Sequence, residues 1–107
     1  MSENFIKVAL KSDLSEGKII AVELHGEKIA LCQTGNSYYA VGDTCSHAKV
    51  KLDGGQIVDG QIECPKHGAR FDLQTGKATC PPAIQSIPTY SIEVRGEELW
   101  LAGPKNN

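Results

Sequence analysis

The sequence predicts an all-β protein, on three observations. Short apolar runs rich in Val, Ile, Leu and Tyr recur along the chain, Gly- and Asp-containing turns fall between them, and the last two runs alternate apolar and polar residues about Arg95-Gly96.

Taken in order, residues 5–10, 18–24, 28–33 and 37–41 read as strands, punctuated by His25-Gly26-Glu27 and Thr34-Gly35-Asn36. Such tripeptides suit tight connections, so this part is expected to be a meander of consecutive hairpins. From residue 43 to residue 82 the apolar content falls and Gly and Pro increase. Only 55–58, 61–64 and 70–73 look like strands there, the first two joined by Asp59-Gly60. A segment so poor in apolar residues is expected to have a poor core of its own, with a bound metal centre supplying the missing cohesion. Residues 90–94 and 97–101 form the last hairpin, with Ile92, Val94, Leu99 and Leu101 as its buried face. Trp100 falls out of step and is expected to cap a sheet edge or pack under a loop. No internal repeat is visible, and residues 104–107 read as a frayed tail.

The composition narrows the function. With 107 residues, 40% hydrophobic and 22% charged, the chain suits one domain around one core. A net charge of -2 and the lack of a basic stripe argue against nucleic acid as a partner. Charges near the N-terminus stand where a signal peptide needs apolar residues, and no run approaches a membrane span, so a cytoplasmic protein is expected.

Four cysteines without an export signal favour a metal site over a disulfide framework. Two of them stand in matched patterns: Cys45-Ser46-His47 and, after sixteen intervening residues, Cys64-Pro65-Lys66-His67. Each half offers one thiolate and one imidazole in the same order, whereas a Cys2His2 zinc finger groups like with like. The pattern suits a two-iron cluster in which the cysteines hold one iron and the histidines the other; a mononuclear zinc site is the alternative. Gly68, next to His67, is expected to let the backbone approach the cluster. Cys32 and Cys80 read as reduced structural thiols, and His25 as an exposed turn residue. Asp43, Asp53, Asp59 and Asp72 read as turn-capping residues rather than catalytic carboxylates. With four protein ligands no position remains for substrate, so the protein is expected to relay electrons and not to be an enzyme.

Cys45-Ser-His-Ala48 and Cys64-Pro-Lys-His-Gly-Ala-Arg-Phe-Asp-Leu-Gln-Thr-Gly76 resemble the two cluster-binding boxes of Rieske-type ferredoxins from bacterial ring-hydroxylating dioxygenase systems, such as those acting on biphenyl or carbazole. The resemblance implies a Rieske fold: an antiparallel β-sandwich base domain, about residues 1–42 and 83–107, with a small cluster-binding subdomain, 43–82, inserted in it. It also implies one 2Fe-2S cluster on Cys45, His47, Cys64 and His67, and a covering loop that Pro81 and Pro82 stiffen. Respiratory Rieske proteins carry two further cysteines that brace the loops; this chain has Val50 and Lys66 there. It also has Ala69 and Phe71 where those proteins carry hydroxyls that donate toward sulfur. Such hydrogen bonds favour the reduced state, so a potential near the bottom of the Rieske range, about -150 to +300 mV, is expected.

The implied function is a monomeric one-electron carrier between an NAD(P)H-dependent flavoprotein reductase and a terminal oxygenase. A small subunit like that of assimilatory nitrite reductase is the first alternative, and a zinc-stabilised binding module the second. The resemblance puts the histidines at an exposed tip, and Lys49, Lys51 and Lys66 surround them in sequence, a local reversal of sign in an acidic chain that marks a candidate docking site.

Overall fold

The computed structural model describes residues 4–44, 51–65, 68–80 and 85–104, with only the backbone of Cys80. Ten strands follow one another: β1 (Ile6–Leu10), β2 (Ile19–Leu24), β3 (Glu27–Thr34), β4 (Ser37–Gly42), β5 (Gln56–Val58), β6 (Gln61–Glu63), β7 (Arg70–Asp72), β8 (Ala78–Cys80), β9 (Ser91–Arg95) and β10 (Glu98–Ala102). They form three antiparallel sheets, ordered β1-β10-β9, β2-β3-β4 and β5-β6-β7-β8. The all-β reading therefore stands.

The hairpins follow from local turn chemistry. His25-Gly26 and Asp59-Gly60 both carry positive φ at two successive residues, the twist that matches the flanking strands, and close Leu24 on Glu27 and Val58 on Gln61. The expected meander holds for β2, β3 and β4 but not for β1. That strand leaves the meander and pairs with β10, Ile6 opposite Leu101 and Ala9 opposite Leu99. The reason lies in residues 11–18, which make a 3-10 turn over Lys11–Asp13, capped by the Leu10 amide donating to the Asp13 carboxylate at 2.9 Å. No two-residue turn joins β1 to β2.

The sheet β2-β3-β4 lies between the other two, and β3 shows why. Ile29, Ala30, Leu31 and Cys32 are all fully buried, a continuous apolar run of the kind a strand needs when both of its faces are covered. Ile29 and Leu31, with Ala40 of β4, meet Ala9, Leu99 and Leu101 in one core. Ala30, Cys32 and Val41 on the opposite face meet Leu52, Ile62, Phe71, Leu73 and Ile87 in a second. The segment 43–82 shares a core rather than building one alone: it packs on the back face of β3 and β4, a support the sequence reading did not include. Its contribution is a row in register, Ile57, Ile62, Phe71 and Ala78, across β5 to β8. Burying one such side chain fully contributes about 1.5–3 kcal/mol, so this row alone matters to the fold.

Two further expectations are corrected at the last hairpin. Leu99 and Leu101 are buried, but Val94 is 45% exposed because it stands near the end of the edge strand β9, beyond the cover of the core. Trp100 does not cap an edge. It sits on the outer face of β10, the central strand, where the Arg95 guanidinium lies 4.2 Å over its ring and its indole N–H donates to Glu98 at 3.1 Å. Arg95 also pairs with Glu93, and Lys7 with Glu98 at 3.4 Å. A cation over the ring and a partner for the N–H satisfy an indole without a core.

Cys32 yields a test. Its thiol lies 3.8 Å from the Tyr39 carbonyl, and burial pushes its pKa from the ordinary 9.0 up to about 12. Between those values the unfolded chain has lost a proton that the folded chain keeps, so stability falls as pH rises through that window, at most by about 1.4 kcal/mol per pH unit. Peptide mass mapping after iodoacetamide at pH 8 should find Cys32 unmodified in the folded protein and alkylated in denaturant. Rapid labelling of the folded protein would show that the site opens more readily than its burial implies.

Candidate metal centre

Two segments hold the sequence-predicted ligands, and the structure shows what ties the flanks of each together. The first is residues 45–50, which lie outside the described residues. At its base Thr44 bridges Lys51, the Leu52 amide donates to the Asp43 carbonyl at 2.6 Å, and the Asp53 amide donates to Asp43 Oδ1 at 2.8 Å. The Asp43 amide in turn donates to the Lys28 carbonyl at 3.1 Å, which ties the loop base to β3. The second loop spans 65–68 and is closed by the Cys64 amide donating to the Ala69 carbonyl at 2.7 Å.

The two bases lie against each other. Leu52, Cys64 and Ala69 share one buried cluster. A side chain built at Gly54 would meet Pro65 at 3.9 Å, and one at Gly55 would come within 1.8 Å of the Glu63 carbonyl. Gly55 is therefore required by close approach of backbone to backbone. A 2Fe-2S group of mixed ligation needs two thiolates and two imidazoles, and the residue types of Cys45, His47, Cys64 and His67 fit that donor set, with Cys64, among the described residues, beside the base of the first segment. Among the described residues, no group of three His, Cys, Asp or Glu side chains could hold another metal ion.

Of the predicted ligands, Cys64 is described: it is buried, 1% exposed, at the end of β6. Cys45, His47 and His67 lie outside the described residues, as do Lys49, Lys66, Pro81 and Pro82. Lys51 is exposed at the base of the first loop. Gly68 has φ +71 and, among the described residues, only a Glu63 oxygen, at 3.9 Å, near its missing Cβ, so its backbone conformation already requires glycine. His25 is exposed in its turn.

Asp72 caps the turn after β7, its Oδ1 accepting from the Gln74 amide at 2.8 Å and the Thr75 amide at 3.0 Å. Asp43 does more than the sequence suggests. It is 1% exposed, its Oδ2 is buried without a hydrogen-bond partner among the described residues, and burial raises its carboxyl above its ordinary value. Sequence reasoning also missed a polar row beside the second loop: Gln56 and Arg70 both donate to Glu63, at 2.7 and 3.0 Å. These bonds, the one from Gln56 first, hold the Glu63 carboxyl below its ordinary value. Glu63 and Arg70 are seven residues apart in sequence and opposite each other once β6 and β7 pair.

The sequence matches the Rieske [2Fe-2S] domain model over residues 4–91. The chain belongs to this family. Among Rieske relatives, it is 35% identical over 101 residues to the ferredoxin component of the naphthalene 1,2-dioxygenase/salicylate 5-hydroxylase systems of a Ralstonia species, covering 94% of this chain and 97% of that one. Its fold is similar to the ferredoxin of carbazole 1,9a-dioxygenase from Nocardioides aromaticivorans IC177, with TM-score 0.89 and 34% identity over 92% of this chain and 97% of that one. It is equally similar to a chain in the complex of reduced oxygenase and oxidized ferredoxin in carbazole 1,9a-dioxygenase, with TM-score 0.88, 33% identity and 96% of each chain covered. The family is one of 2Fe-2S domains, and the Rieske fold accords with the two sheets of the base and the small sheet β5-β6-β7-β8. No helix among the described residues is long and apolar enough to cross a membrane.

Proposed function

We propose that this Rieske chain is the ferredoxin of a ring-hydroxylating dioxygenase system, a one-electron carrier that delivers electrons to a terminal oxygenase. In this reading Cys45 and Cys64 hold one iron, His47 and His67 the other, and a flavoprotein reductase oxidising NAD(P)H in the cytoplasm supplies the electron. The cluster segment is 43–82 and the base is 1–42 with 83–107. The observation that carries the reading is likeness to ferredoxin components over nearly the whole of this chain and of theirs. A carrier, unlike an enzyme subunit, needs no broad apolar face. Among the described residues the exposed large apolar side chains are Ile6, Leu10 and Val94, single residues in the sheet β1-β10-β9.

The test is reconstitution with dioxygenase reductases and oxygenases. Product should form from NADH only when all three proteins are present, with the chain alternating between oxidised and reduced 2Fe-2S spectra. A chain that is never reduced by any such reductase, or that binds zinc in place of iron, would overturn the reading.

Docking gives a second test. Lys49, Lys51 and Lys66 would steer the loop end toward an acidic patch on a partner, raising association rates more than affinity. Steering is screened over about 8 Å at physiological salt, so transfer rates should fall as salt rises. Replacing all three lysines by Gln should flatten that dependence with cluster spectra unchanged. Parent-like rates at every ionic strength, with both partners, would mark them as ordinary solvated charges.

A further inference from the structure

Glu63 stands immediately before Cys64, and both of its carboxylate oxygens are engaged, Oε1 by Gln56 and Oε2 by Arg70. Gln56, Glu63 and Arg70 lie in register across β5, β6 and β7, one residue along from the core-facing Ile57, Ile62 and Phe71, and so on the opposite face. They form the polar row at the end of the sheet from which the second ligand loop springs. The row is not freely solvated: the Glu63 side chain is 19% exposed and that of Arg70 35%. Glu63 Oε2 lies 3.9 Å from where a Cβ on Gly68 would stand, so the carboxylate leans on the turn that follows His67. Arg70 holds it there through a charge-assisted bond, and Gln56 fixes its second oxygen.

We propose that Glu63 and Arg70 are positioning residues that bias the electron affinity of the centre, the carboxylate held against the second ligand loop opposing the incoming electron and the guanidinium partly offsetting it. The inference rests on the reading of Cys64 and His67 as ligands. A shielded charge fixed one residue from Cys64 and against the turn that follows His67 acts through a medium of lower dielectric than water, whereas a mobile exposed one is screened. The two charges have opposite signs, so removing each has an opposite consequence. A purely structural clamp behaves differently, because breaking it from either side disturbs the same loop in the same way.

The experiment is voltammetry of the holoprotein at pH 7 for E63Q, R70Q and R70K, with iron content and visible spectrum measured on each. Gln at 63 keeps the shape and an acceptor for Arg70 while removing the charge, so E63Q should shift the reduction potential upward. R70Q leaves the carboxylate uncompensated and should shift it downward, and R70K, which restores the charge, should return it toward the parent. Equal potentials in all four proteins, or shifts of the same sign in E63Q and R70Q, would overturn the proposal. Should R70Q fail to retain iron, E63Q decides alone, since an unchanged potential there means the carboxylate is not sensed. Failure of the ligand reading looks different: the parent protein itself would then lack the 2Fe-2S spectrum.

Discussion

Cys64→Ala should abolish the iron-sulfur centre outright. Each iron takes two protein ligands in this arrangement, so losing one thiolate leaves an iron half-held rather than slightly retuned. The loss should also spread in a defined direction. The second loop is closed among the described residues by the bond from the Cys64 amide to the Ala69 carbonyl, and metal binding energy in such a site is also folding energy for the loop. Amide exchange around residues 64–69 should therefore accelerate. The core of Ile29, Leu31, Leu99 and Leu101 does not involve Cys64, so the base sheets should keep their circular dichroism and their slow exchange. His67→Ala should do the same, while Cys32→Ser should keep iron, because Cys32 lies in β3 and not in a ligand loop. Iron per chain, the visible spectrum and the EPR signal of the reduced protein read the outcome. A Cys64→Ala protein with the parent's iron content and EPR signal would remove Cys64 from the ligand set.

What could be read from the sequence separates along one physical line. Hairpins closed by His25-Gly26 and Asp59-Gly60 were legible because their geometry is fixed by adjacent residues. The departure of β1 to β10 was not, because its partner lies some ninety residues away and nothing local encodes the pairing. The continuous apolar run in β3 was visible, yet its meaning, burial on both faces, depends on a sheet formed much later in the chain. Without it the segment 43–82 shows only a poor core of its own, and the packing on β3 and β4 stays hidden. The Cys-His spacing stands out in the sequence because coordination chemistry restricts which residue types can occur at matched spacing, and it points to the family that the domain match shows. Its supports do not stand out: Asp43 reads as an ordinary turn aspartate, and the Glu63–Arg70 pair becomes visible only after β6 and β7 are placed in register.

Two adjacent glycines should respond in opposite ways to the same substitution. A Cβ at Gly55 would stand 1.8 Å from the Glu63 carbonyl oxygen and 3.0 Å from its carbon, and 3.3 Å from the Leu52 carbonyl oxygen. All three are backbone atoms, so no rotamer change relieves the clash; the start of β5 must move away from the end of β6. That junction is where the base of the first loop meets the strand leading to Cys64, so the displacement should reach the site as well as the fold. The cost should be at least the ~1–3 kcal/mol of ordinary overpacking. For a domain of this size, 1 kcal/mol lowers Tm by roughly 4–8 °C, so Gly55→Ala should melt about 10 °C or more below the parent and bind iron poorly. At Gly54 the same methyl group would meet, among the described residues, only the Pro65 ring, at 3.9 Å, an ordinary van der Waals contact. Gly54→Ala should keep the parent's Tm within a few degrees and its full iron content, since removing a glycine also restricts the unfolded chain. If thermal melts and iron analysis of the two variants agree with each other, the close approach of the two loop bases is wrong, and with it the account of how Leu52, Gly55 and Cys64 are held together.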